Sequence, residues 1–282
     1  MEYLNLNNGT RIPMAGLGTF MLQPDEAEYA VLTALRNGYS LIDTANAYMN
    51  EKAVGRGMKK SGVSREKIYL STKLWPSIYA DAEQAIEDTL KRLDTDYIDL
   101  LFLHQPVGDY IGAYKAMERA VKAGKVKSLG LSNFTQVQTK ELIEQTEIKP
   151  AFVQVEAHPY YPQTELKAVL AEYGTAVMAW FPLGHGDKTL LEEPVLAKLA
   201  KKYGKSTAQV ILRWHTQIGN IVIPGSKNEN HIADNINIFD FALTKVEMEE
   251  ISALNKNMRY YTVTEEALQG YLAFAPDFES QK

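Results

Sequence analysis

The stretch IDLLFLH, Ile98 to His104, decides how the rest of the chain is read. It is nearly continuously apolar rather than alternating, the pattern of a strand whose sheet is covered on both faces. Working outward, seven more short apolar or β-branched runs accompany it: MAGLG (14–18), SLID (40–43), IYLST (68–72), VKSLGLS (126–132), AFVQVEA (151–157), AVMAW (176–180) and NIVIP (220–224). Amphipathic segments lie between them. Ala82, Ile86, Leu90 and Leu93 fall at three- and four-residue steps and share one helical face. Leu166, Val169, Leu170 and Tyr173 do the same, as do Val195, Leu196, Leu199 and Tyr203. Eight strand–helix steps predict an α/β chain closed into a (β/α)8 TIM barrel.

The flanks and the composition fit that expectation. Before the first strand, YLNL, NNGT and RIPM read as a β-hairpin that closes the bottom of the barrel. After the eighth, the tail MRYYTVTEEALQGYLAFAPDFESQK is aromatic, lacks a sustained period, and is expected over the active-site face. No linker or low-complexity segment interrupts residues 1–282, so one domain is expected. The 45% hydrophobic and 23% charged content is that of a soluble globular protein. The net charge of -5 comes without a basic block, which argues against nucleic acid as a partner. The absence of cysteine excludes disulfides, thiolate metal sites and a cysteine nucleophile, and no metal site is expected. The start MEYLNLNNGTRIP does not read as a secretory signal, and no apolar run reaches the roughly 18 residues of a membrane span. A cytoplasmic protein without a membrane partner is the expectation.

Barrel enzymes carry their chemistry at the C-terminal ends of the strands. Asp43 ends the second strand, with Tyr48 in the loop after it; Lys73 ends the third, and His104 the fourth. Ser132 and Asn133 end the fifth, Gln154 and Glu156 lie in the sixth, Trp180 ends the seventh, and Ser226 follows the eighth. Singly, Asp43 would be a turn cap, Tyr48 a packing residue, Lys73 a snorkelling lysine and His104 a loop residue. Together they make a tuned proton donor. A free tyrosine, with a pKa of about 10, holds its proton too tightly for exchange at neutral pH. A lysine beside it would lower that pKa, Asp43 would hold the ammonium, and His104 would orient a carbonyl oxygen.

The segments GLGTF, DTANAYMNE, STKLW, LFLHQP, GLSNF, VQVEAHP, AWFPLG and IPGSKNENHIADN resemble, in order, the successive motifs of the aldo-keto reductase superfamily. The resemblance runs from the first strand to beyond the eighth. It implies a nicotinamide cofactor bound without a Rossmann domain, and the chain has no GxGxxG after a strand. It implies Tyr48 as the acid, Lys73 and Asp43 as its tuning pair, and His104 as the group that orients the substrate. Ser132, Asn133 and Gln154 would hold the carboxamide, with Trp180 stacking on the ring where the family usually has a tyrosine. Gly18 and Thr19 would lie close to the cofactor and Leu183 near its pyrophosphate. Phe20 and Trp75 would line an apolar substrate pocket.

The departures concern the adenosine end. IPGS stands where the family commonly has IPKS, so Gly225 replaces a lysine, and His231 replaces the usual arginine. Lys227 is expected to take over with Ser226, Asn228 and His231 as weaker donors, while Asp234 and Asn235 match adenine-contacting positions. NADPH is the expected cofactor, with NADH possible because both basic residues are missing. HQP replaces the frequent HWP beside His104. In the tail, Tyr260, Tyr261, Tyr271 and Phe274 either frame the pocket or simply pack; His185, Asp187 and Lys188 either close over the pyrophosphate or face solvent. The expectation is a monomer that reduces a small carbonyl substrate. The alternatives are a nicotinamide-binding regulatory subunit with little turnover and a lyase using Lys73 as a Schiff base.

Overall fold

Two short strands, β1 (Tyr3–Asn5) and β2 (Arg11–Pro13), pair antiparallel with Leu4 opposite Ile12. Gly9 turns the chain between them at φ 82°, a conformation that costs glycine little. The computed structural model describes every residue from Met1 to Lys282. Eight further strands follow, β3 (Leu17–Gly18), β4 (Leu41–Asp43), β5 (Tyr69–Leu74), β6 (Ile98–Leu103), β7 (Val126–Ser132), β8 (Phe152–Glu156), β9 (Ala176–Trp180) and β10 (Ile221–Val222). They lie parallel, in chain order, in one sheet. Parallel bridges from Ala15 to Val222 and from Gly18 to Gly225 join its two edges and close the barrel. Gly18 is required at that seam, because a Cβ there would sit 2.6 Å from the carbonyl oxygen of Ile223.

The helices are α1 (Pro24–Arg36), α2 (Glu51–Ser61), α3 (Ala82–Leu93), α4 (Tyr110–Lys122), α5 (Gln136–Gln145), α6 (Thr164–Ala171), α7 (Lys188–Leu191), α8 (Pro194–Tyr203), α9 (Thr207–Gln217), α10 (Glu229–Ile236), α11 (Lys245–Ser252) and α12 (Glu265–Ala273). None is long and apolar enough to cross a membrane. The opening stretch shows why the barrel holds together. Leu100 and Phe102 of β6 pack inside with Leu41, Phe152, Met178 and Ile221. Leu101 and Leu103 pack outward against α3 and α4 through Ile86, Leu90, Ala113 and Met117. Each such side chain contributes about 1.5–3 kcal/mol on burial, so a run apolar on both faces is what this strand needs. Leu6, Ile12 and Met14 join the interior cluster, so the hairpin plugs the bottom of the barrel as expected.

Three readings need correction. The eighth run is ordered as a strand only at Ile221–Val222, since Pro224 has no N–H for a ladder. Tyr173 lies in a turn after α6 rather than on its face. The tail carries a nine-residue helix, α12, where no period was legible, because none of its residues is buried.

Candidate active site

Successive strand ends deliver the expected cluster to one place. Asp43 closes β4, and the chain then makes a single 3-10 turn, Asn46–Tyr48, that swings Tyr48 back over the rim. Lys73 of β5 is fully buried, and its Nζ donates to Asp43 Oδ2 at 2.6 Å and to the carbonyl oxygen of Thr44 at 2.7 Å. The other carboxylate oxygen of Asp43 accepts from Ser71 Oγ at 2.7 Å and Gln154 Nε2 at 3.1 Å. A buried charge pair is tolerable only when so completely bonded. The ammonium lies 4.9 Å from the centre of the Tyr48 ring. His104, just past β6, stands edge-on to Tyr48 at 5.6 Å and to Trp75 at 4.9 Å between ring centres.

The protonation of these groups corrects one expectation. Burial, with the Asp43 carboxylate second, pushes the Tyr48 phenol well above its ordinary value; Lys73 does not bring it down. Its ammonium is spent on Asp43 and Thr44 rather than on the phenol oxygen, and burial in turn pushes Lys73 down while Asp43 opposes the shift. Burial, then the Lys73 charge, holds His104 well below the usual histidine range, so it is neutral at pH 7. Tyr48 therefore carries its proton, and His104 is a neutral hydrogen-bonding ring whose buried Nδ1 has no partner.

One cavity of about 760 Å³ runs from this cluster along the top of the barrel. Asp43, Tyr48, His104, Ser132, Asn133, Gln154, Trp180 and Leu183 all line it, as do Gly18, Ser226 and Lys227. Phe20 and Trp75 form apolar walls at the Tyr48 end. Trp180 Nε1 donates to Asn133 Oδ1 at 2.9 Å, fixing the indole. Asn133, at φ 66°, donates through Nδ2 to Ser132 Oγ at 3.2 Å and to the His104 carbonyl oxygen at 3.3 Å. A left-handed asparagine, a hydroxyl and the Gln154 amide beside an aromatic plane make a donor and acceptor set suited to a flat carboxamide-bearing ring.

Other expected residues lie elsewhere. Lys73 is behind Asp43 and Tyr48, outside the cavity lining. Thr19 is buried beside it, its Oγ1 3.2 Å from the Asp43 carbonyl oxygen, and does not line it. His231 is exposed on α10; Asp234 and Asn235 of that helix are also outside the lining. Lys227 is 69% exposed and bonded to Glu26 Oε1 of α1 at 2.8 Å, a partner the sequence did not suggest because 201 residues separate them.

The tail aromatics divide. Tyr261, Tyr271 and Phe274 line the cavity, and Trp75 Nε1 donates to the Tyr271 carbonyl oxygen at 2.9 Å. Tyr260 is not in the lining; its hydroxyl bonds Asp187 Oδ2 at 2.6 Å and so ties the loop after β9 to the tail. Of that loop, His185 lines the cavity while Lys188 is exposed outside it. Glu156 anchors the tail instead of facing substrate, accepting from the backbone N–H of Tyr260 at 2.6 Å and of Tyr261 at 3.2 Å.

The comparisons with known proteins point the same way. The aldo/keto reductase family pattern matches residues 14–256. The chain is 42% identical over 262 residues to the glyoxal reductase of Bacillus subtilis strain 168, covering 92% of this chain and 94% of that protein. It is 39% identical over 259 residues to the methylglyoxal reductase DkgA of Escherichia coli K12, covering 91% and 94%. The crystal structure of a Bombyx mori aldo-keto reductase in complex with NADP superposes with a TM-score of 0.88 at 35% identity, covering 93% of this chain and 95% of that one. This chain belongs to the aldo/keto reductase family.

Proposed function

We propose that the protein reduces aldehydes and ketones to alcohols with NADPH, and that Tyr48 donates the proton. One observation carries this reading. Tyr48 lines the cavity while the Lys73–Asp43 pair is buried directly behind its ring. The nicotinamide, when bound, supplies the hydride. Tyr48 keeps its proton until a carbonyl oxygen stands against it, because burial and Asp43 disfavour the phenolate. As negative charge grows on that oxygen, the proton moves to it, and the Lys73 ammonium offsets the charge left on the phenolate. Neutral His104 donates a hydrogen bond to the same oxygen and fixes its position, and Phe20 and Trp75 supply apolar walls beside the carbon being reduced. Asn133, Ser132 and Gln154 hold the carboxamide, with Trp180 as the plane against which the ring lies.

The glyoxal and methylglyoxal reductases among the relatives favour small 2-oxoaldehydes as substrates. NADPH is favoured by Lys227, which lines the cavity; NADH is the alternative coenzyme, because Gly225 and His231 supply no second strong cation there. Every named group comes from one chain, so a monomer suffices, acting in the cytoplasm. Lys73 as a Schiff base lacks support, since it is fully buried and outside the cavity lining. The test is coenzyme oxidation with methylglyoxal as the probe, alongside tryptophan-quenching titrations with NADPH and NADH. Turnover with NADPH bound more tightly is expected. Tight binding of either coenzyme with no reduction of any carbonyl would favour the regulatory-subunit reading instead.

A further inference from the structure

The turn that presents Tyr48 leads directly into α2, and that helix lacks its ordinary cap. Its N-cap residue, Asn50, makes no side-chain capping bond. Asn50 is fully buried and committed elsewhere: Nδ2 donates to the carbonyl oxygens of Thr19 and Leu22, both at 3.0 Å, and Oδ1 accepts from Thr44 Oγ1 at 2.9 Å. The first N–H groups of a helix need acceptors when they are buried. Here the acceptor arrives from the tail. Gln281 Oε1 accepts from the Glu51 N–H at 2.8 Å and from the Lys52 N–H at 3.4 Å, and Gln281 Nε2 donates to the Asn46 carbonyl oxygen at 3.4 Å. One side chain therefore spans the whole Tyr48 turn from behind, and it is only 6% exposed.

The rest of the segment is fastened to the same place. Lys52 Nζ donates to the Glu279 carbonyl oxygen at 2.7 Å, Phe278 is buried, and the Glu279 carboxylate pairs with Arg92. Arg92 also pairs with buried Glu51 at 2.7 Å, and Glu51 accepts from Thr72 Oγ1 at 2.6 Å, next to Lys73. The tail thus covers the cavity with Tyr271 and Phe274, then returns to brace the turn that carries the proton donor.

We propose that Phe278–Gln281 is a positioning element for Tyr48, with Gln281 capping α2 from the tail and setting the height of the Asn46–Tyr48 turn above the Lys73–Asp43 pair. The inference rests on Tyr48 being the proton donor. It makes the substrate wall and the proton donor parts of one continuous device, so that loosening the tail loosens the acid.

The test compares Gln281→Met, which keeps the reach without hydrogen bonds, with Gln281→Glu, which keeps an acceptor for the helix. Hydrogen exchange of residues 46–52 is followed alongside kcat and KM for methylglyoxal and NADPH affinity by tryptophan quenching. In Gln281→Met the Glu51 and Lys52 amides should exchange about tenfold faster, kcat should fall about tenfold, and NADPH affinity should stay within twofold. Gln281→Glu should recover most of both losses. Faster exchange with kcat within twofold of the parent would reduce the segment to a structural prop, and unchanged exchange would remove the cap itself; either overturns the proposal. A parent that reduces no carbonyl would bring down the proton-donor reading and this inference with it, an outcome distinct from a normal parent with an unaffected variant.

Discussion

At the Tyr48 end of the cavity the charged groups are buried and bonded, with Lys73 and Asp43 at 0% and 2% side-chain exposure. At the Lys227 end, the cation is 69% exposed and its partner Glu26 is 32% exposed. The two ends belong to one cavity and one barrel, yet they obey different electrostatics. In the buried cluster, solvent cannot screen a missing partner, so each group is held in place by the cost of losing another. In the open loop, water and salt share the charge, so the same kind of pair fixes little. On the proposed function, catalysis depends on the end that cannot rearrange and coenzyme choice on the end that can.

Three experiments, using four substitutions, test that contrast. The largest effect should come from Lys73→Met, which leaves Asp43 as an unpaired buried carboxylate and should lower unfolding free energy by about 3–5 kcal/mol. Lys227→Met, at the open end, should leave the denaturant midpoint where it is. Similar losses from both, measured by chemical denaturation, would erase the distinction.

A smaller effect should follow pH. Folded His104 is held below the ordinary pKa of 6.5, so the unfolded chain binds more protons as pH falls past that value. Stability from this group is complete above pH 6.5 and declines below it, by up to about 1.4 kcal/mol per pH unit. His104→Gln should flatten that part of the stability curve, and an unchanged slope would mean His104 is not kept neutral by burial.

The smallest effect concerns the open end alone. Glu26→Gln frees Lys227 and should tighten NADPH binding about threefold at low salt, with the gain fading as salt rises and NADH unaffected. Equal changes for both coenzymes would mean that Lys227 does not face the 2′-phosphate.

The buried end was also the legible one. Asp43, Lys73 and His104 sit at or beside strand ends, and a strand end is fixed once the apolar runs are aligned, so sequence position translated directly into place in the barrel. Two kinds of feature escaped. The direction in which Tyr48 is tuned depends on which oxygen Lys73 reaches, and a 2.6 Å bond to Asp43 is invisible to a list of residue types. The support around α2 escaped because Gln281 and Asn46 are 235 residues apart, and no local pattern marks a cap supplied from so far away. A partial signal existed in NEKAVGR, where an asparagine and a glutamate open a helix. Asparagine is a common N-cap residue, but bonds to Thr19, Leu22 and Thr44 occupy the Asn50 side chain. At the open end, Lys227 was found by its type, but its Glu26 partner depended on how α1 lies against the loop after β10.

The measurement that bears most directly on the central claim is a comparison of the parent with Tyr48→Phe. Single-turnover reduction of methylglyoxal is followed together with NADPH affinity by tryptophan quenching. The account predicts that reduction slows by about 10²–10⁴-fold while NADPH affinity stays within twofold, because the change removes a single hydroxyl and leaves Lys227 and the groups proposed to hold the carboxamide in place. Reduction by Tyr48→Phe at the parent's rate would contradict it.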